Sequence, residues 1–388
     1  MQLSEFFRNF QNILRTSATI SRTLLAYSRW QRSLRVVSDR EVNTEFYEGR
    51  SDMWSFDVTW RSCAVRLMVL LPVFVLLQGA QAQWHATVGS QSPDQAGQAL
   101  AFLPNELWIH QGDSITWNFD AGEIHTVTFL TTVPTPQIRP PFDAGCPGFS
   151  SDLATFDGST CVTTPPLVVG ATFTVIFPAA GNFKLVCLVH PDMTAVIHVL
   201  DSSQPLPHTQ DFYDREAKEQ ARALLSDLDR NGNHNARQCA HHHAGHEVTA
   251  GIGEISTTAG GAQTLSVLRF TADKMIIHTG QIVEWENDDP EDPHTITFGT
   301  EPADLFDPSA NVTVDADGAR HAIINSTSDN VHSGFILAAP QERVGLRQSP
   351  LPLFVTRFRI TFTHPGTFPY ICALHDNLGM KGEIIVVP

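Results

Sequence analysis

Tyr370-Ile-Cys372-Ala-Leu-His375-Asp-Asn-Leu-Gly-Met380 decides the reading of this chain. A cysteine, a histidine three residues on and a methionine five after that share one short segment. Thiolate, imidazole and thioether are soft or borderline donors. Together they suit copper better than magnesium or calcium, which want oxygen. Zinc accepts Cys and His but rarely takes Met. The run Phe368-Pro-Tyr-Ile ahead of the cysteine has the look of a buried strand, with the loop folding its donors back toward one point. A further donor has to come from elsewhere. His294, opening the alternating stretch His294-Thr-Ile-Thr-Phe after the turn-rich Glu286-Asn-Asp-Asp-Pro-Glu-Asp-Pro, is placed to supply it. Two His and one Cys in a plane with a weak axial Met describe a blue-copper electron-transfer site.

The pattern occurs twice. Cys187-Leu-Val-His190-Pro-Asp-Met193 follows Asn182-Phe-Lys-Leu-Val, and His125-Thr-Val-Thr-Phe lies upstream of it. Gly112-Asp-Ser-Ile-Thr-Trp parallels Gly280-Gln-Ile-Val-Glu-Trp, and Phe102 to His110 parallels Phe270 to His278. Several parts recurring in one order are stronger than either copy alone. His110 and His278 recur beside turn glycines and read as scaffold.

These motifs resemble the plastocyanin group of the cupredoxins, and the shorter Cys-x2-His-x2-Met loop of the first copy is similar to that of amicyanin. The resemblance covers most of residues 84–200 and 247–388 and fails for 1–60 and the stretch between the copies. It implies an all-β chain: two tandem Greek-key β-sandwich domains joined by a linker with one helix. It implies one copper per domain, held by His125, Cys187, His190 and Met193 in the first and by His294, Cys372, His375 and Met380 in the second. Met193 is the least typical ligand, because its loop is short. In that family the loop histidine is the exposed ligand through which electrons pass. This gives the role to His190 and His375, with Pro191 and Leu374 in the docking surface.

Composition fits short strands and turns. Of 388 residues 17% are charged, with 25 Gly and 24 Pro. Leu107-Trp-Ile-His, Ser114-Ile-Thr-Trp, Thr126-Val-Thr-Phe and Glu383-Ile-Ile-Val-Val read as strands. The net charge is -16. Residues 1–82 hold ten of the 25 basic and seven of the 41 acidic residues, leaving a balance of -19 downstream. Such a surface argues against nucleic acid and favours basic redox partner proteins. It equally fits a soluble exported protein with no such preference.

Arg61-Ser-Cys-Ala-Val-Arg66, an apolar core over 67–77 and the small-x-small site Ala80-Gln-Ala82 form a secretory signal. The core is too short for a comfortable membrane span. Residues 53–82 are therefore expected to be a signal peptide starting at Met53, with 1–52 an over-called extension. The alternative is an uncleaved anchor with a cytoplasmic tail. The mature chain is expected in the periplasm or outside the cell, with no membrane span. Cys146 and Cys161 bracket a Gly- and Ser-rich insertion and are placed to form a disulfide in an oxidising compartment. Cys63 falls in the signal, and Cys239 is left over.

Residues 201–246 form the linker. Tyr213, Ala217, Ala221, Leu224, Leu225 and Leu228 share one face of a predicted helix over 211–229. Asp227-Leu-Asp229-Arg-Asn231-Gly232 resembles the start of an EF-hand loop, but position twelve is Gln238 and no second helix follows. A helix ended by Gly232 is the simpler reading. His241, His242, His243 and His246 are either a copper-acquisition patch or interdomain metal site, or part of a polar linker. Residues 300–353 form a long excursion without counterpart in the first copy. Asn311-Val-Thr and Asn325-Ser-Thr are sequons, meaningful only in a secreting eukaryote.

Two functions from other classes compete with an electron carrier. One is a multicopper enzyme of nitrite-reductase or oxidase type, and the other is copper delivery or storage. An oxidase supplies a His-Cys-His motif, whereas Val186 and Ile371 precede the two cysteines here. The chain is thus expected not to be an enzyme.

Overall fold

The computed structural model describes residues 81–132, 142–226, 246–338 and 355–388. The expected extension, the expected signal peptide up to residue 80, Met53, Cys63, the EF-hand-like loop, Leu228, Cys239 and His241 to His243 lie outside the described residues.

The described residues of the first half form ten strands: β1 (Gln83–Gln91), β2 (Gly97–Leu103), β3 (Glu106–His110), β4 (Ser114–Phe119), β5 (Thr128–Phe129), β6 (Ala154–Thr155), β7 (Val162–Thr163), β8 (Thr172–Ile176), β9 (Gly181–Val186) and β10 (Thr194–Leu200). Helix α1 (Gln210–Ser226) follows. The second half contains β11 (His246–Thr257), β12 (Ala262–Phe270), β13 (Lys274–His278), β14 (Ile282–Asp288), β15 (Thr297–Phe298), β16 (Thr313–Val314), β17 (Arg320–Ile324), β18 (Val331–His332), β19 (Arg357–Phe362), β20 (Gly366–Ile371) and β21 (Lys381–Val387). Among the described residues the chain is all-β apart from α1 and one 3-10 turn at Asp376–Leu378.

Each half has its own five-stranded sheet, in the order β3-β10-β9-β5-β7 and β13-β21-β20-β15-β18. These two orders match strand for strand. Opposite them runs one continuous sheet of eleven strands, β16-β17-β19-β14-β11-β12-β2-β1-β4-β8-β6. It is continuous because β12 pairs antiparallel with β2, setting Thr264 against Leu100 and Leu265 against Ala99. Pairing two edge strands removes two rows of unsatisfied backbone groups and fixes the halves against each other. Each half fills its sandwich with its own apolar cluster. Trp117 with Phe129 and Phe177 centres one, and Trp285 with Phe298 and Tyr370 centres the other.

All seven residues of β2 are buried. One face packs into the first core, through Leu100 and Phe102. The other carries Ala99, Ala101 and Leu103 and is covered by α1, which lays Leu224, Ala217, Ala221 and Leu225 on it. The Tyr213 hydroxyl accepts from the Trp108 N–H (2.8 Å) and sits near its carbonyl (3.1 Å), pinning the start of the helix to β3. The expected apolar face of the linker helix is thus the one that packs.

The excursion over 300–353 departs from expectation. It has a partial counterpart. β17 pairs parallel with β19 as β6 does with β8, and β18 pairs with β15 as β7 does with β5. The strands in the first half are only two residues long, so their pattern is too short to read from sequence. The segment also adds a satellite cluster, Leu305, Phe306, Phe335 and Leu337, packed on Ala373 and Leu374 of the Cys372 loop. The sequon residues Asn311 and Asn325 are exposed. Cys146 and Cys161 are joined by a disulfide.

Candidate metal centres

Each half brings a thiol and two imidazoles to one buried point. His125 follows β4 and bridges Leu167 through a reciprocal backbone pair of 2.8 Å each way. His294 does the same with Ile336. The next residue ties this segment to the cysteine loop. The Thr126 N–H donates to Cys187 Sγ (3.4 Å), and its hydroxyl accepts from the Leu188 N–H (2.8 Å). Thr295 repeats both bonds with Cys372 (3.3 Å) and Ala373 (2.8 Å).

The loops close in matching ways. The Cys187 N–H donates to the Met193 carbonyl (3.0 Å), and the Met193 N–H to the His190 carbonyl (3.1 Å). In the second loop Cys372 bonds Met380 (3.1 Å) and Met380 bonds His375 (3.0 Å), with the Asp376–Leu378 turn taking up the two extra residues. Gly379 ends that turn in the left-handed region at φ 92°. Met193 and Met380 are both fully buried in the cores that carry the cysteines.

The donor atoms converge. His125 Nδ1 and His190 Nδ1 lie 3.2 Å apart, and Cys187 Sγ lies 3.7 Å from His190 Nδ1. In the second half His294 Nδ1 and His375 Nδ1 are 3.2 Å apart, with Cys372 Sγ at 3.8 and 3.5 Å from them. In each cluster the three donor atoms all lie within 4.8 Å of one another, close enough for one ion to be shared among them. Two imidazoles and a thiol, all buried, fit copper as a donor set. Burial opposes ionisation of both thiols, yet the neighbouring imidazoles outweigh it and hold each thiol well below its usual value. A thiolate is the form that binds metal.

Sequence reasoning missed two pairs of residues. The first pair is Gly89 and Gly251, at bulges in β1 and β11, with φ of 69° and 77°. Their missing side chains let the strand press on the upstream histidine: a Cβ would lie 2.7 Å from His125 Nε2 at Gly89 and 1.9 Å from His294 Nε2 at Gly251. The second pair is Glu123 and Asp292, each two residues before its upstream histidine. Their equal spacing in the two copies was the available signal.

The position of the loop histidines corrects an expectation. His190 and His375 are not exposed: they retain 0% and 2% of their surface, because each is covered by the other half. His190 Nε2 lies 3.0 Å from Asp292 Oδ1, and His375 Nε2 lies 3.2 Å from Glu123 Oε2. Burial works against charge on His190, but Asp292 and Cys187 hold its pKa well above the ordinary value. For His375 the carboxylate of Glu123 does the same. Burial likewise opposes ionisation of Asp292, and His190 overrides it, drawing that carboxyl far below the usual range. Pro191 is exposed, and Leu374 is half-buried under the excursion rather than open for docking.

Of the linker histidines only His246 is described. It begins β11 and pairs with Val283, away from both clusters. His110 and His278 are also remote. His110 Nε2 meets the Gln204 carbonyl (2.7 Å) and His278 Nδ1 the Pro388 carbonyl (2.9 Å), as scaffold groups do. Among the described residues no helix is long and apolar enough to cross a membrane.

No family model matches the sequence, and no curated protein matches it. Solved structures align with parts of it. An oxidised amicyanin variant is 16% identical, over 32% of this chain and 87% of its own, with a TM-score of 0.21. A variant plastocyanin of fern is 16% identical, over 36% of this chain and 99% of its own, with a TM-score of 0.19. The oxidised plastocyanin of Dryopteris crassirhizoma is 17% identical over the same shares, with a TM-score of 0.17.

Proposed function

We propose that the chain is an exported two-domain blue-copper protein that carries electrons, with one type 1 copper in each half. His125, Cys187, His190 and Met193 would hold one ion, and His294, Cys372, His375 and Met380 the other. The observation that supports this most is the duplicated cluster of two Nδ1 atoms and one Sγ, built by the same hydrogen bonds in both halves. Bound there, copper supplies one-electron redox chemistry.

The protein's own part is rigidity. Backbone bonds from Thr126 and Thr295 hold each sulfur, and the reciprocal pairs to Leu167 and Ile336 hold each upstream histidine. Electron transfer is fast when the ligands barely rearrange between oxidation states, and a buried, hydrogen-bonded loop resists rearrangement. The cores exclude water from the thiolates. The signal-like segment before residue 83 supports export, and the acidic surface supports a basic redox partner. Val186 and Ile371, standing where an oxidase would place histidines, favour a carrier over an enzyme.

Copper titration tests this. Two blue, thiolate-to-copper absorption centres per chain are expected, one lost in Cys187→Ser and the other in Cys372→Ser. Colourless copper only, or a blue band surviving both substitutions, would reject the proposal.

A further inference from the structure

Glu123 and Asp292 hold equivalent places in the two halves, and each reaches a histidine of the other half. His375 Nε2 is 3.2 Å from Glu123 Oε2, and His190 Nε2 is 3.0 Å from Asp292 Oδ1. The exchange is reciprocal. Glu123 Oε1 also lies 3.9 Å from His190 Nε2, beyond hydrogen-bond distance but close enough for charge to act, so one carboxylate faces both loop histidines. All four side chains are buried. In so dry an interface a fixed negative charge acts on its neighbours far more than it would in water.

Glu123, His190 and Asp292 could themselves hold an ion. The 3.0 Å contact is instead that of an N–H donor to a carboxylate. It fits an imidazole whose Nδ1 faces a metal and whose Nε2 proton is held by an outer carboxylate, an arrangement that raises ligand basicity. A more basic ligand beside a negative charge stabilises the oxidised metal.

We propose that Glu123 and Asp292 cross-couple the two centres. Each carboxylate sets the potential of the centre in the opposite half, and Glu123 links His190 to His375 as the route by which one electron passes between them. With copper bound in both halves, the electron lost by one centre would be the one gained by the other, with no bond made or broken. Glu123 and Asp292 are positioning residues that act through the histidines. The proposal rests on the two-copper reading above.

The test is spectroelectrochemistry of the copper-loaded chain with Glu123→Gln and Asp292→Asn, which keep shape and remove charge. Centres are assigned in Cys187→Ser and Cys372→Ser backgrounds. Glu123→Gln is expected to favour Cu(I) in the Cys372 centre at least tenfold, about 59 mV. It should leave the Cys187 centre nearer its wild-type value. Asp292→Asn is expected to do the reverse. Glu123→Ala is expected to slow electron exchange between the centres after pulse reduction at least tenfold. Two blue centres with unchanged or uncrossed potentials would overturn the proposal alone. So would a third bound ion, lost in Glu123→Gln and in Asp292→Asn. A wild-type chain with no blue centre would remove the copper reading as well.

Discussion

Gly251→Ala separates ligand placement from mere fold stability. Gly251 sits at the β11 bulge with φ 77°, and an added Cβ would fall 1.9 Å from His294 Nε2 and 2.5 Å from its Cδ2. The left-handed backbone alone costs a non-glycine residue about 1–2 kcal/mol. Overpacking a filled core adds about 1–3 kcal/mol, for a total of roughly 2–5 kcal/mol. The geometric effect is larger in consequence. Ordinary contact needs about 3.5 Å, so the imidazole has to retreat by roughly 1.5 Å. Metal–ligand distances tolerate about 0.2 Å. The second centre should therefore lose its metal while the first keeps it. Urea denaturation measures the stability loss, and copper titration in a Cys187→Ser background isolates the second centre. Gly89→Ala makes a milder collision, 2.7 Å from His125 Nε2 and 2.6 Å from Ala121 Cβ, so it should weaken the first centre rather than abolish it. A Gly251→Ala chain that loads both centres with an unaltered spectrum would refute the claim that the bulge seats His294.

Other outcomes follow from the same structure. Burial, with the charge of Asp292 second, pushes the Asp289 carboxyl up to about 6. A raised acid favours folding below its unfolded value near 4, and that contribution is lost as pH rises through 6. Asp289→Asn should therefore stabilise the metal-free chain by roughly 1–3 kcal/mol at pH 8 and lose that advantage by pH 4, as read from urea midpoints at the two pH values. Replacing Cys146 and Cys161 by serine opens a loop with a separation of 15 residues and should cost about 3 kcal/mol without changing copper stoichiometry. Leu224→Ala should cost about 2–3 kcal/mol by uncovering β2, again with both centres intact.

What could be read in advance was local. Cys372 and His375 sit on one loop, so spacing and donor chemistry were enough to group them, and the structure brings them together with His294. The upstream histidines were legible because each begins a His-Thr strand, and the same threonine then proves to bind the cysteine loop. The helix face was legible because its period is intrinsic to the helix. The junction was not. Pairing between β2 and β12 joins residues about 165 apart, and nothing in Gly97-Gln-Ala-Leu-Ala-Phe-Leu103 names its partner. The small residues Ala99 and Ala101 make sense only once α1 lies on them. Because the junction was invisible, His190 and His375 took the exposed role of a single-domain protein. Asp292 sat in a turn-rich stretch and Glu123 carried no local signal of its own. Gly89 and Gly251 sit inside strand-like runs, where a bulge leaves no mark beyond the glycine itself.

The most direct test of the account is diffraction at the copper absorption edge from crystals of the copper-loaded chain. Two anomalous peaks are expected, one among His125 Nδ1, His190 Nδ1 and Cys187 Sγ and the other among His294 Nδ1, His375 Nδ1 and Cys372 Sγ. A single peak, or density on the Nε2 side of His190 between Glu123 and Asp292 with the sulfur sites empty, would contradict it.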